Sequence, residues 1–219
     1  MITQPTFQFL KQLKQHNNKE WMDGHRKEYE TAKGDFELFV TAILEGISAF
    51  EPLFRDIPAK QCMFRINRDI RFSEDKSPYK TNFGAHFTVG GKKSPHAGFY
   101  FHLEPGAAFI GGGAWMPPAD MLKNIRQEID YDLAAFEQII HQKDFKKLYP
   151  KIDGEQLKKA PQGYDPANPA IEYLRHKSFT VGRPVSDKEL SDKNLVKQTV
   201  QAFKTMQPFI DFLNRAVPQ

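Results

Sequence analysis

Residues 98–104 of the chain read Gly98-Phe99-Tyr100-Phe101-His102-Leu103-Glu104. Apolar residues occupy every second position after the glycine, which is the pattern of a β-strand with one buried face and one polar face. Residues 82–89 read Asn82-Phe83-Gly84-Ala85-His86-Phe87-Thr88-Val89 and repeat the alternation. Because the connection between the two segments is short and contains glycine, the sequence predicts two neighbouring antiparallel strands.

Two further strands are predicted, one from the same alternation and one from a turn. Apolar residues alternate with polar ones from Phe64 to Phe72, and residues 107–115 follow a tight turn that begins at Glu104. The sequence therefore predicts strands near 62–72, 82–90, 98–104 and 107–115, in an antiparallel meander sheet of about four to six strands. The run Gly111-Gly112-Gly113 predicts that an aromatic side chain or a ligand packs closely against the last strand.

Helical periodicity flanks the predicted sheet on both sides. The apolar stripe before it consists of Phe36, Phe39, Val40, Ile43 and Ile47. Such stripes predict helices within residues 7–50, 118–145 and 190–217 that cover the apolar face of the sheet. The fold class is therefore α+β.

We expect a single domain over residues 1–219. It would consist of a helical part (1–58), the central sheet (60–116) and a helical, loop-rich part (117–219). Two helix starts are predicted from capping residues, one at Asn17 and one at Ser191-Asp192, and an interruption of the last helix is predicted at Pro208.

Composition narrows the class of protein. The formal net charge is +4, which is too small to indicate nucleic-acid binding by itself. The single cysteine excludes a disulfide framework and fits a reducing compartment. No apolar run approaches the length that spans a bilayer. We therefore expect a cytoplasmic protein with no membrane partner.

The segment 65–82 carries the strongest functional signal. It contains five cations against three acids, and arginines at this density usually meet oxyanions or carboxylates. The cations are Arg65, Arg68, Arg71, Lys76 and Lys80. We interpret them as candidate ligand-binding residues for an anion.

Each arginine also has an interpretation without a ligand. If the segment is a strand, Arg68 lies on its apolar face, where it must reach a buried carboxylate or the strand rim, unless a bulge returns it to the polar face. Arg65 and Arg71 could instead form cross-strand ion pairs with Asp69 and Glu104.

Other candidates follow from the polar face of the predicted sheet. His86 and Asp69 are candidate catalytic groups, since an imidazole titrates near neutral pH and a carboxylate can act as a base. His102 and Glu104 are candidate ligand-binding residues, as is Tyr79, whose ring could stack on a ligand or anchor the loop. The spacing of the two histidines and Glu104 matches no metal motif, so we predict no metal site.

The motif Arg65-Ile66-Asn67-Arg68-Asp69-Ile70-Arg71-Phe72-Ser73, continued through Asp75-Lys76-Ser77-Pro78-Tyr79-Lys80-Thr81-Asn82-Phe83-Gly84, resembles the signature of domain-of-unknown-function family 2461, found in bacteria and fungi. Further similar motifs are Asn17-Asn18 with Trp21, Gly111-Gly112-Gly113 with Trp115 and Pro117, Pro161-Gln162-Gly163-Tyr164-Asp165-Pro166, and His176-Lys177-Ser178. The resemblance implies a single domain with a site near the central motif, and it implies no activity.

Three functional interpretations remain at this point. The first is a protein that binds, and could act on, a small phosphate- or carboxylate-bearing ligand. The alternatives are a nucleic-acid-binding module that uses Tyr79 and Tyr100 for stacking, and an interaction domain that presents the charged face to a protein. The sequence decides neither whether the protein is an enzyme nor its cofactor or oligomeric state.

Overall fold

A computed structural model describes residues 1–91 and 94–217 of the chain. The helices are α1 (Gln4–Gln15), α2 (Lys19–Gly24), α3 (Arg26–Ser48), α4 (Ala59–Cys62), α5 (Ala119–Tyr131), α6 (Leu133–Ile140), α7 (Lys143–Leu148), α8 (Ile171–Leu174), α9 (Asp187–Leu190) and α10 (Leu195–Asn214). The strands are β1 (Phe83–Phe87), β2 (Gly98–Leu103), β3 (Phe109–Ala114) and β4 (Phe179–Pro184). A short 3₁₀ turn covers Pro52–Phe54.

Over the described residues, the strands form a four-stranded antiparallel sheet in the order β1-β2-β3-β4. This arrangement confirms the predicted α+β class with a meander sheet packed against helices. Three predicted strands, near 82–90, 98–104 and 107–115, correspond to β1, β2 and β3. The alternation was reliable for β1 and β2 because the apolar positions of these two strands are buried.

The predicted strand at 62–72 is wrong. Its first residue ends α4, and the rest of the segment meets its surroundings through isolated bridges, Met63 with Ala85 and Asn67 with Tyr79. The alternation misled because Phe72 is 96% exposed, so the apolar positions do not share a buried face. The segment instead folds back on itself and forms what we call the 66–80 loop.

Strand β4 was not predicted. Phe179 and Val181 alternate with polar residues and are buried, so the signal is present over a few positions. The strand lies in the part predicted to be helical and loop-rich (117–219), where the prolines and glycines around it indicate loops. A strand this short derives its stability from its neighbours in the sheet rather than from its own sequence.

The described part of the chain divides into two compact units, and the strands contribute residues to both. Unit 1 comprises Met1–Phe87, Tyr100–Ile110 and Pro184–Gln201. Unit 2 comprises the described residues of Thr88–Phe99, Gly111–Arg183 and Ala202–Gln219. The single domain over 1–219 stays a prediction.

The core of unit 1 is the helical stripe predicted on α3. Its five apolar residues are all buried. The ring of Phe36 stacks on Phe83 of β1 with a centroid distance of 5.4 Å, and the ring of Phe39 meets Phe101 of β2 edge-on at 4.7 Å. The buried face of the sheet and the stripe of α3 therefore form one layer of aromatic contacts.

One of the two predicted helix caps is displaced along the chain. The cap of α2 is Asn18 rather than Asn17, and its side chain accepts a hydrogen bond from the Trp21 amide at 2.9 Å. The final helix, predicted from a cap at Ser191-Asp192, is α10, which begins at Leu195, and Asp192 Oδ1 accepts a hydrogen bond from the Asn194 amide just before it at 2.7 Å. A capping box at Ser186 and Glu189 opens the separate short helix α9. Capping residues occur in clusters in this sequence, so the local pattern does not select among them.

In unit 2, α10 continues through Pro208 without the predicted interruption.

Gly113 of β3 has φ 126°, and a Cβ atom there would lie 2.0 Å from the carbonyl oxygen of Phe179. A Cβ at Gly112 would lie 2.5 Å from the sulfur of Met206. The glycines at 112 and 113 thus allow a methionine and the backbone of β4 to approach closely.

Within the described chain, no helix combines the length and the apolar character that a membrane crossing requires.

Candidate functional site

The 66–80 loop is closed at its base by backbone hydrogen bonds. The Arg68 amide donates to the Pro78 carbonyl at 2.9 Å, and the Lys80 amide donates to the Ile66 carbonyl at 2.8 Å. Asn17 clamps the same base, because its Nδ2 donates to the Tyr79 carbonyl at 2.8 Å and its Oδ1 accepts from the Tyr79 amide at 3.1 Å. With its ring buried, Tyr79 anchors the loop, which is the interpretation without a ligand.

Arg68 orders the inside of the loop. Its guanidinium donates to Asp75 and, at 3.2 Å, to Ser73 Oγ. Hydrogen bonds from Ser77 and then the guanidinium of Arg68 hold the pKa of Asp75 well below its usual range. Neither expectation for Arg68, a buried carboxylate or a bulge in a strand, is correct, because its partner is an exposed carboxylate in the same loop.

Arg71 forms a bidentate ion pair with Asp69. Its Nε lies 2.9 Å from Asp69 Oδ1 and its Nη2 lies 2.6 Å from Oδ2. Hydrogen bonds from Arg71 lower the pKa of Asp69. Of the two interpretations given for Arg71, the ion pair with Asp69 is the one that forms, although within the loop rather than across strands.

The other cations of the segment differ in their surroundings. Lys76 Nζ donates to the Ile70 carbonyl at 3.1 Å and so belongs to the loop. Lys80 Nζ lies over the ring of Phe64, 5.3 Å from its centroid. Arg65 is exposed and has no carboxylate within ion-pair distance in residues 1–91 and 94–217.

A continuous hydrogen-bonded row runs along the polar face of β2, at its carboxyl end. His102 Nδ1 lies 3.2 Å from Tyr100 Oη, and His102 Nε2 lies 3.2 Å from Glu104 Oε2. We call these three residues, Tyr100, His102 and Glu104, the β2 polar row. They come together because residues two apart on a strand point to the same face.

Neighbouring elements hold both ends of the β2 polar row. Glu104 Oε1 accepts from Thr81 Oγ1 at 3.0 Å and from Lys14 Nζ of α1 at 3.2 Å. The ring of Phe109 of β3 stacks on His102 with a centroid distance of 4.8 Å and an interplanar angle of 15°. The imidazole is thus fixed both in its plane and at its hydrogen-bonding edges.

Burial sets the ionisation of the row. It lowers the pKa of His102, an effect that the Glu104 carboxylate partly opposes. Burial alone would raise the pKa of Glu104, but hydrogen bonds from His102, Lys14 and Thr81 outweigh it and lower that pKa. Burial also raises the pKa of Tyr100 to about 12. At neutral pH the row is therefore a phenol, a neutral imidazole and a carboxylate.

His86 of β1 makes no hydrogen bond or ion pair with the part of the chain that the structure describes. Burial lowers its pKa to about 4. At neutral pH its imidazole is uncharged and a weak base, so it does not titrate in the range that suggested a catalytic role. That role stays a prediction.

The structure adds residues that the sequence did not indicate as site residues. Tyr100 was considered only for stacking, although its place in the alternation with His102 and Glu104 was a usable signal. Lys14 and Asn17 come from a distant part of the chain, and no local pattern could connect them to the sheet. Across residues 1–91 and 94–217, His, Cys, Asp and Glu side chains form no group of three arranged to hold a metal ion.

A second polar cluster lies in unit 2 around the motif His176-Lys177-Ser178. His176 is buried, and its Nε2 lies 2.7 Å from Nε2 of Gln156. Arg126 donates to the carbonyl oxygens of Leu174 at 2.7 Å and of His176 at 3.0 Å. These bonds tie α5 to the segment that follows α8, which is a structural role.

The fold and the site together define an α+β protein whose antiparallel sheet carries a hydrogen-bonded polar row on one face. The chain belongs to the family described as "Conserved hypothetical protein (DUF2461)", whose family model matches residues 5–212. This match confirms the resemblance of the sequence motifs. Neither a search of curated proteins nor a search of solved structures found a match.

Proposed function

We propose that this protein binds a small phosphate- or carboxylate-bearing ligand beside the β2 polar row. The observation that carries the proposal is the position of Lys80. Its ammonium lies over the ring of Phe64, and that ring packs edge-on against Tyr100 with a centroid distance of 6.2 Å. A cation is thus held next to neutral hydrogen-bonding groups, which is a suitable environment for an oxyanion.

Arg65 supports the same assignment. It directly follows Phe64 in the chain and, within the described chain, has no carboxylate partner, whereas Arg68 and Arg71 have theirs inside the 66–80 loop. We therefore assign anion binding mainly to Arg65 and Lys80. Arg68, Arg71, Lys76 and Tyr79 would support it by ordering the loop, and His102 with Glu104 would act on the ligand through the hydroxyl of Tyr100, which they orient.

A cleft in unit 1 shares Lys14 with the contacts of Glu104, although its lining includes neither Arg65 and Lys80 nor a residue of the β2 polar row. It has a volume of about 420 Å³ and is lined by Leu10, Lys11, Lys14, Gln15, Pro105, Gly106 and Asp187. Concave surfaces with a few convergent polar groups are typical of ligand sites.

The test is thermal unfolding in the presence of inorganic phosphate, citrate and a nucleotide monophosphate. A ligand at about a hundred times its Kd should add ~2.7 kcal/mol to the free energy of unfolding, since only the folded state binds it. We expect Arg65→Glu and Lys80→Glu to remove the shift. Arg55→Glu, at another exposed arginine of unit 1, should retain it.

The proposal fails if none of these anions shifts the wild-type transition, or if Arg55→Glu loses the shift as fully as Arg65→Glu.

A protein-interaction domain is the second candidate, and the exposed ring of Phe72 next to Arg71 favours it. Nucleic-acid binding is less well supported, because Tyr79 is buried and Tyr100 is engaged with His102. If the loop tip serves a separate protein partner, Phe72→Ser should leave the phosphate-dependent shift unchanged. We also propose that the protein is located in the cytoplasm.

A further inference from the structure

We infer that the β2 polar row is a proton relay, in which Tyr100 Oη accepts a proton from a hydroxyl group or water molecule at the site. The inference rests on the proposed function for the location of the ligand. It goes further in assigning an activity, general base catalysis, and in naming Tyr100 as the catalytic residue and His102 and Glu104 as the groups behind it.

The direction of the relay follows from the hydrogen-bonding capacity of its members. An ionised carboxylate can only accept, so Glu104 Oε2 receives the Nε2 proton of His102 across 3.2 Å. His102 Nδ1 is then unprotonated and accepts the hydroxyl proton of Tyr100, also across 3.2 Å. Asn82 Nδ2, 3.4 Å from the same Nδ1, is a second donor and favours the same tautomer. The lone pairs of Tyr100 Oη remain for an incoming donor.

The chemical step balances without a further reactant. As a water molecule or hydroxyl group attacks an electrophile, its proton moves to Tyr100 Oη, and the phenol proton moves to His102 Nδ1. The resulting imidazolium is stabilised by the Glu104 carboxylate, and the proton returns to the leaving group by the reverse route. Since the phenol pKa is about 12 and that of the imidazole is lowered, the phenolate does not accumulate, and transfer accompanies bond formation.

The position of Tyr100 Oη depends on a glycine. A Cβ atom at Gly84 of β1 would lie 2.5 Å from this oxygen, so any side chain there would displace the hydroxyl from His102. On the other side, Phe109 stacks on the imidazole and keeps its edge towards Tyr100. The hydrogen bonds connect Tyr100, His102 and Glu104 in the same order as the nucleophile, base and orienting carboxylate of a catalytic triad. Here a phenol takes the position of the nucleophile, next to the substrate.

The surrounding titratable groups are few. Besides Glu104, they are Lys14 of α1, which contacts Glu104, Lys80 beyond the ring of Phe64, and His86 of β1. His86 is uncharged at neutral pH because its pKa is about 4. The pH dependence of the reaction rate near neutrality should therefore follow the titration of His102, which the charges of Glu104 and Lys14 influence.

The experiment is the hydrolysis of p-nitrophenyl acetate, a neutral ester that does not require the anion site. We expect Tyr100→Phe to lower the rate by about a hundredfold, the lower end of the range for general base catalysis. Gly84→Ala should lower it similarly while circular dichroism shows a retained fold. Tyr131→Phe, at a tyrosine that is 89% exposed, should retain the wild-type rate. The wild-type rate should rise with pH through an apparent pKa below the ordinary histidine value.

Nitrogen-15 NMR of wild-type His102 provides a readout that does not depend on folding of a variant. We expect the Nε2–H tautomer at neutral pH, and a change in the Nδ1 shift in Tyr100→Phe. A wild-type rate no greater than that of Tyr100→Phe, or a His102 that carries its proton on Nδ1, would overturn the relay. Absence of a phosphate-dependent thermal shift would count against the anion site alone.

Discussion

At the scale of single residues, two histidines on the polar face of the sheet differ in their surroundings. His86 and His102 lie on neighbouring strands with the same alternation, yet of the two only His102 has hydrogen-bonding partners within the described residues. His86 stays uncharged because burial disfavours its protonated form. This difference makes His86 a determinant of how stability depends on pH.

We predict that His86 destabilises the protein in acid. Its pKa is about 6.5 in an unfolded chain and about 4 in the folded protein, so between these values the unfolded state binds more protons. Its contribution to stability is complete above pH 6.5 and is lost as the pH falls towards 4. At pH 4.5 the loss should be on the order of 2.5 kcal/mol.

The measurement is urea unfolding at pH 7 and pH 4.5 for the wild type, His86→Gln and His141→Gln. The difference between the two pH values should shrink by about that amount in His86→Gln. It should be unchanged in His141→Gln, at an exposed position on the surface. An unaltered pH dependence in His86→Gln would show that the site does not keep the imidazole neutral.

At the scale of elements, the 66–80 loop shows where periodicity fails. Alternation predicted a strand, but cations and acids of the same segment paired with one another within the loop, as Arg68 with Asp75 and Arg71 with Asp69. A strand would have required neighbours along its length, whereas Met63 and Asn67 each find a single bridge. Ion pairs and hydrogen bonds within the loop therefore formed in place of the backbone hydrogen bonds of a strand in a sheet.

The close approach between the backbones of β3 and β4 at Gly113 can be tested by substitution. Gly113 combines φ 126° with a Cβ position 2.0 Å from the Phe179 carbonyl, and Gly163 combines φ 88° with open space around its Cβ position. We expect Gly163→Ala to cost about 1–2 kcal/mol, the strain of a left-handed backbone alone. Gly113→Ala should cost more than about 3 kcal/mol, because the clash with β4 adds to the strain.

Denaturant midpoints of the two variants decide this prediction. Equal midpoints would mean that β4 moves away from β3 without cost, and the close approach would then have no part in holding the edge of the sheet.

At the scale of the whole molecule, the single-domain prediction can be tested with the two tryptophans. Trp21 lies in unit 1 and Trp115 lies in unit 2. We expect Phe39→Ala, which removes a buried ring of unit 1, to destabilise the protein by ~3–5 kcal/mol. In a single domain, both tryptophans should report this loss at the same denaturant concentration.

Each tryptophan is followed by its fluorescence after the other has been replaced by phenylalanine. Phe209→Ala, which removes a buried ring of unit 2, is the matched variant and should shift both signals in the same way. Transitions that separate, with only Trp21 responding to Phe39→Ala, would contradict a single domain.

The sequence by itself determined the α+β class, strands β1 and β2 and the buried stripe of α3 from a period that repeats along adjacent residues, because burial of one face imposes that period. Strand β3 followed from the tight turn that precedes it. His102 and Glu104 were found from the alternation, as positions on the polar face of one strand.

Only the tertiary structure decided which contacts these side chains make. It paired Arg68 and Arg71 within their loop, placed Lys14 on Glu104, and left the space above Gly84 to the hydroxyl of Tyr100. These contacts join segments far apart in the chain, and their geometry depends on packing distances that no local pattern contains. The physical reason is that hydrogen bonds and ion pairs act over a few ångströms, whereas sequence periodicity reports only which face is buried.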